Sequence, residues 1–210
     1  FWQGSVTHHY DLKLISQAIN TLNEKLFIGG YVKESYKVLN DVSKMNFEPS
    51  GHIFDHKPFV YLLPYLERYK YLEEHQLDKY YHWEEMGKMF NRKQWINEAP
   101  VTEYMNFYQD KGICLIPLEK SKFTSCKSNL KMLEAGWAKK PVVVSGVYPY
   151  TSLATSKNCK MAGNSDEWIK SIKYLKENPS AADDIRNQLH EDIKENYLID
   201  KSNQARKEII

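Results

Sequence analysis

The chain has 210 residues, and its 29 Lys and Arg side chains nearly balance 27 Asp and Glu, which leaves a formal net charge of +2. The charges are interspersed without a basic tract, which disfavours a nucleic-acid partner. No apolar run approaches the roughly 18 residues that a transmembrane helix needs. Three cysteines, Cys114, Cys126 and Cys159, show neither disulfide nor metal spacing. The sequence therefore predicts a globular protein of a reducing compartment, with a cytoplasmic location.

Residues 1–30 have the pattern of a first βα unit. Apolar residues recur at helical spacing from 11 to 24, and Asp11 suits the start of that helix. Residues 26–30 are typical of a buried strand that ends in a glycine turn. The two glycines lack the full dinucleotide fingerprint, so the sequence predicts neither a nicotinamide nor a flavin cofactor.

Residues 31–90 hold eight of the 15 tyrosines, with apolar residues at helical spacing. We interpret them as an inserted helical segment. Packing against the rest of the molecule is favoured over a partner or oligomer surface, and the excess of carboxylates disfavours peripheral contact with an anionic membrane. His52 and His56 have metal-like spacing, but no third ligand is identifiable. The sequence therefore predicts no metal site.

The most informative part of the chain runs from residue 91 to residue 145. Strands are predicted at 91–98 and 112–117, separated by a helix near 101–108. Residues 113–118 and 141–145 are short apolar runs without alternation, as expected for parallel strands covered on both faces. Residues 126–138 then form the crossover helix that parallel strands require.

The C-terminal part continues the alternation of strands and helices. A short strand is predicted at 160–162. Asn164 or Ser165 caps a helix that ends near Pro179, and a second helix runs from Ser180 to about Tyr197. The fold class is therefore α/β, with a parallel sheet flanked by helices.

Helix 126–138 has two distinct faces on a helical wheel. The face predicted to dock on the sheet carries Leu130, Leu133 and Trp137. The second face carries Lys127, Lys131 and Glu134. In an open α/β sheet this helix begins at the carboxyl edge, where ligands bind and the free N–H groups attract phosphate. Lysines four residues apart are also typical of a solvated face, so that interpretation stays open.

These motifs carry a family resemblance. The segments that carry it are 116–119, 122–123, 126–134, 141–145 and 149–150, with support from 2–12, 166–168 and the helical tail. Together they resemble the C-terminal half of GT-B glycosyltransferases of the group 1 type. The resemblance spans residues 1–30 and 91–210. It implies a Rossmann-like domain over 1–210 that binds a nucleotide-diphosphate sugar, with residues 31–90 as an insertion.

The resemblance implies a glycosyltransferase that retains anomeric configuration, needs no cofactor and often binds no metal. The chain begins with Phe1, which indicates a fragment whose missing upstream half holds the acceptor. Glu134 stands where the family's second acid of a Glu-x7-Glu motif holds the ribose. Cys126 replaces the first acid, and Ser5 and Asp11 stand where cations commonly hold the diphosphate.

No catalytic residue is identified. The residues expected to bind the donor are Gly4, Ser5, Lys127, Ser128, Lys131 and Glu134. A further group, expected around the phosphates, sugar or base, comprises His8, Lys122, Thr124, Pro117 and Leu118. Two other functions stay open, a non-catalytic binding or assembly module on this fold and a nucleotide-sugar epimerase.

Overall fold

A computed structural model of the chain describes residues 1–4, 9–29, 89–96 and 103–198. Its strands are β1 (Trp2–Gln3), β2 (Leu26–Gly29), β3 (Lys93–Ile96), β4 (Cys114–Ile116), β5 (Val142–Ser145) and β6 (Lys160–Ala162). Its helices are α1 (His9–Thr21), α2 (Leu130–Trp137), α3 (Ser165–Glu177) and α4 (Pro179–Asn196). Short 3₁₀ turns lie at Tyr104–Tyr108, Thr124–Cys126 and Tyr150–Ser152.

All strand pairs are parallel. β2 pairs with β1 and β3, and β5 pairs with β4 and β6. Phe1 joins the two groups, because its amino group donates to the Ile113 carbonyl at 2.7 Å and its carbonyl accepts from the Leu115 N–H at 2.8 Å. The resulting order is β3-β2-β1-β4-β5-β6, which is the order of a doubly wound, Rossmann-like sheet.

Helices cover both faces of this sheet. On one face α1 and α3 pack over a core that includes Trp2, Leu115 and Trp168. On the other face α2 and α4 pack over a core that includes Ile116 and Leu189. Every residue of β4 and β5 is buried, which explains why these strands are apolar without alternation. The predicted α/β class is confirmed.

The predicted strands and the last two helices are confirmed within a few residues. α3 begins as predicted, because the Asn164 side chain accepts from the Glu167 N–H at 3.0 Å. The Glu167 carboxylate reaches back to the Gly163 N–H at 2.6 Å, so both side chains satisfy free donors at the helix start. The helix predicted near 101–108 is a 3₁₀ turn over its described part.

The predicted docking face of the crossover helix is wrong at two of its three positions, since only Leu133 is partly buried and packs against the core. Leu130 is 54% exposed and Trp137 is 51% exposed, whereas Met132, Ala135 and Gly136 are buried. The predicted helix begins at the last residue of the 3₁₀ turn Thr124–Cys126, but α2 begins only at Leu130 and buries Met132, Ala135 and Gly136.

Some predictions fall outside the described residues. They concern the tyrosine-rich insertion at 31–90 apart from Met89 and Phe90, the pair His52 and His56, and the segment after 198. Phe90 is buried in the core beside α1.

The close approach of α2 and α4 depends on Gly136. A Cβ at this position would lie 2.4 Å from Ile193 Cδ1 and 2.6 Å from Leu189 Cγ. We expect Gly136→Ala to lower the free energy of unfolding by about 1–3 kcal/mol through overpacking. In an unobstructed helix the same change stabilises by up to about 1 kcal/mol, so the sign is diagnostic.

Urea denaturation measures this effect, with Gly146→Ala as the matched control. No atom lies within 4 Å of a Cβ built at Gly146, so this variant should stay close to wild-type stability. A Gly136→Ala variant as stable as the wild type would contradict the packing of α2 on α4.

Candidate functional site

β1 and β4 end side by side at the carboxyl edge of the sheet, and the region between their ends is called the crevice below. The chain leaves β1 toward β2 and leaves β4 toward β5, so this crevice is the topological switch point, where open α/β sheets bind ligands. Gly4 follows β1, and Pro117 follows β4. Asp11 in the first turn of α1 and Lys131 in the first turn of α2 also belong to this region, as their contacts show.

Gly4 is required by the space around it. Its N–H donates to the Gly29 carbonyl at 3.1 Å, which continues the pairing of β1 with β2. A Cβ here would lie 2.3 Å from the Trp2 ring and 2.9 Å from Lys131 Nζ. The absence of a side chain therefore lets the lysine approach the end of β1.

Lys131 brings a positive charge into the crevice. Its Nζ lies 4.7 Å from the centre of the buried Trp2 ring, a cation–π contact. The side chain is half-buried, and burial lowers the pKa of Lys131 to about 8, although nearby Asp11 favours the charged form. The ammonium is thus held near the strand ends at a cost in solvation.

Asp11 connects the two sides of the crevice. Its carboxylate is fully buried, and Oδ1 accepts the Glu119 N–H at 2.7 Å. This bond holds the loop after β4 against the first turn of α1. The same carboxylate favours the charged forms of Lys127 and Lys131, so it balances part of their charge.

Lys127 and Ser128 lie before α2 rather than in its first turn. The Lys127 N–H donates to the Thr124 carbonyl at 3.1 Å and closes the 3₁₀ turn, and its Nζ lies 5.2 Å from the Phe123 ring centre. Burial lowers the pKa of Lys127, with Asp11 opposing. Ser128 is exposed. Asn129 occupies the N-cap without a side-chain capping bond.

Glu134 lies one turn beyond Lys131 on α2, and two tyrosines contact it. The Tyr104 hydroxyl donates to Oε1 at 3.0 Å, and the Tyr108 hydroxyl donates to Oε2 at 3.0 Å. Sequence reasoning missed both tyrosines. Their spacing of four residues within the predicted helix 101–108 was the available signal, since it places two side chains on one face.

The loop 119–126 uses its own polar groups. The Thr124 hydroxyl is buried and bonds the Glu119 and Ser121 carbonyls. Lys122 is exposed and, with Lys120, lines an open cavity of about 590 Å³. Thr124 and Lys122 therefore line this cavity, which is separate from the crevice at Gly4 and Lys131.

Pro117 and Leu118 are buried at the end of β4. The Leu118 N–H donates to Ser145 Oγ at 2.8 Å, which ties the loop to the end of β5. Leu118 also lines a cavity of about 580 Å³. Ser5 and His8 fall outside the described residues.

The described part of the site contains cations, a carboxylate and a backbone segment without a side chain at Gly4. It contains no nucleophile paired with a base. In ranges 1–4, 9–29, 89–96 and 103–198, no group of three or more His, Cys, Asp or Glu residues is placed to hold a metal. No helix in the same ranges is long and apolar enough to cross a bilayer. Burial raises the pKa of the Cys114 and Cys159 thiols to about 12 and about 11, so neither is a reactive thiolate near neutral pH.

Comparisons with known proteins agree with this architecture. A scan against protein-family models and a search of curated proteins gave no match. Sucrose-phosphate synthase from Thermosynechococcus elongatus is 13% identical, with a TM-score of 0.61, over 99% of this chain and 44% of that chain. Anabaena HepE in complex with UDP is 12% identical, with a TM-score of 0.61, over 99% of this chain and 47% of that one.

A third structure shows which half of a longer protein this chain resembles. The C-terminal domain of a group 1 glycosyltransferase, LpcC, from Francisella tularensis is 14% identical, with a TM-score of 0.51, over 95% of this chain and 84% of that chain. This chain has the fold of the C-terminal domain of a GT-B glycosyltransferase. The Rossmann-like GT-B fold predicted from the motifs is thus confirmed, and the chain spans less than half of the two longer proteins.

The lowered pKa of Lys131 predicts how stability depends on pH. Since the folded-state pKa is about 8 and the ordinary value is 10.5, the unfolded chain binds more protons between these values. The wild type therefore gains stability relative to Lys131→Met as pH rises from 8 to 10.5. At pH 7 both states carry the proton, and we expect Lys131→Met to be more stable by about 1–3 kcal/mol.

Urea denaturation at pH 7 and pH 9.5 measures this dependence, with the exposed Lys170→Met as the matched control. The control should show no comparable change between the two pH values. A Lys131→Met variant less stable than the wild type at pH 7 would contradict the burial cost assigned to this lysine.

Proposed function

We propose that this chain is the donor-binding domain of a glycosyltransferase, which binds a nucleotide-diphosphate sugar at the switch point. The observation that carries the proposal is the half-buried ammonium of Lys131 beside Gly4, over Trp2. A cation retained at a cost in stability is explained if an anionic ligand uses its charge. A diphosphate suits this place, because charge-assisted hydrogen bonds offset the lost solvation.

The other residues fit the parts of such a donor. Lys127 adds a second cation before α2, and Gly4 lets the backbone approach the diphosphate. Glu134 accepts hydrogen bonds from the ribose diol, each worth roughly 1.5–3 kcal/mol. Pro117 and Leu118 border the base.

Five further residues are assigned to the donor site. Ser5, Ser128 and His8 are assigned to the phosphates or sugar by resemblance. Thr124 shapes the loop that carries Lys122, which stays a candidate cation for the outer part of the donor.

In this scheme the chain assists departure of the nucleoside diphosphate. Negative charge grows on the leaving diphosphate during transfer, and in the proposal Lys131 and Lys127 stabilise this charge. In this proposal the acceptor binds a second domain. The two longer proteins have room for such a domain, because this chain covers only 44% and 47% of their lengths. Retention of configuration and a cytoplasmic location stay predictions.

One feature favours a second candidate, a non-catalytic binding module. Cys126 is exposed at the place where the resemblance expects the acid that contacts the donor sugar. Its thiol cannot supply the charge of that acid. A module of this kind would bind the nucleotide part without transferring the sugar, so turnover of a UDP-sugar distinguishes it from the enzyme.

Nucleotide binding tests the proposal directly. Calorimetric titration and thermal shift with UDP, GDP, ADP and CMP should show one preferred nucleoside diphosphate. At 100 times its dissociation constant that ligand should stabilise the fold by about 2.7 kcal/mol. We expect Lys131→Met and Glu134→Ala each to weaken its binding by about tenfold or more, because each removes a charged partner.

The exposed Lys170→Met is the control and should bind like the wild type. Each variant is compared with its own ligand-free stability, since Lys131→Met should start from a more stable fold. Equal affinity in the wild type and both site variants, or no binding of any nucleotide by the wild type, would overturn the proposal.

A further inference from the structure

Glu134 is held by two hydroxyl donors from one short turn. Tyr104 and Tyr108 lie at the two ends of the 3₁₀ turn before β4, and each reaches a different oxygen of the carboxylate. Two bonds to two oxygens fix both the position and the plane of the carboxylate. A single bond would leave rotation about the last torsion, which is broad for glutamate.

The donor from Tyr108 is rigid because its ring is locked. The ring is buried and meets the Phe1 ring edge-on at 5.4 Å and the Phe107 ring at 6.1 Å. Tyr104 is half-buried and borders the solvent side. Burial together with Glu134 raises the pKa of both tyrosines, so both hydroxyls stay protonated and remain donors near neutral pH.

The carboxylate keeps capacity for a ligand. An ionised carboxylate has about four acceptor positions, and the tyrosines use one on each oxygen. One position on each oxygen is left, which matches the two hydroxyls of a vicinal diol. A diol that lacks one hydroxyl leaves one of these acceptors without its bond.

We propose that Tyr104 and Tyr108 are positioning residues that hold Glu134 for a ribose diol and thereby set selectivity for ribonucleotides over 2′-deoxyribonucleotides. This inference rests on the proposed function, because it takes Glu134 as the residue that meets the ribose. The tyrosines act through Glu134, so losing one hydroxyl frees the carboxylate to rotate. Binding of the intact diol then weakens more than binding of the deoxy form.

The experiment compares UDP with 2′-deoxy-UDP by calorimetric titration, or the corresponding GDP or ADP pair if the wild type prefers that base. The wild type should prefer the ribonucleotide by about tenfold, the discrimination expected when a half-buried acceptor loses its partner. Tyr108→Phe and Tyr104→Phe should each reduce this preference by about threefold or more. Glu134→Ala should abolish it. Tyr174→Phe removes one hydroxyl from a tyrosine on α3 and should keep the wild-type preference.

The outcomes separate this inference from the proposed function. If the wild type binds neither UDP nor another nucleoside diphosphate, the proposed function fails and this inference fails with it. If the wild type binds the nucleotide without preferring the ribose form, or if both tyrosine variants keep the full preference, the inference alone is overturned. Thermal unfolding of each variant checks the fold. If Tyr108→Phe does not fold, Tyr104→Phe, at the more exposed position, still tests the inference.

Discussion

The candidate site depends on one constraint, a half-buried lysine ammonium at the switch point of a parallel sheet. Lys131 can occupy this place only because Gly4 has no side chain and the Trp2 ring offers its face. The Asp11 carboxylate stabilises the charged form of Lys131 and so offsets part of its desolvation. It also holds the loop after β4 against α1. Gly4, Trp2 and Asp11 thus accommodate the charge of Lys131 and also belong to the packed fold. Binding sites commonly retain such a destabilising group because function needs it.

The fold was largely predictable from sequence because burial leaves a clear signal. Strands covered on both faces are continuously apolar, and β4 and β5 show this over all their residues. The start of α3 was readable because Asn164 has a local capping role. The motif between 126 and 134 then gave the GT-B resemblance, which the structural comparisons confirm at the level of fold.

The details of the site were less predictable, since they depend on contacts distant in sequence. The predicted docking face of α2 was wrong at Leu130 and Trp137, because periodicity could not reveal that the helix begins only at Leu130 or that Gly136 packs on α4. The bonds from Tyr104 and Tyr108 to Glu134 span 30 and 26 residues. Sequence named Lys131 as a candidate, but only the structure shows that it is half-buried over an aromatic ring.

The most direct test is the pKa of Lys131 measured by NMR of the lysine side chains, with the resonance assigned through Lys131→Met. We expect a pKa of about 8 for Lys131 in the free protein. When the preferred nucleoside diphosphate is added to saturation, the pKa should rise, since a nearby anion favours the ammonium. A pKa that stays unchanged while the nucleotide is bound would show that the diphosphate lies elsewhere, and would contradict the central claim.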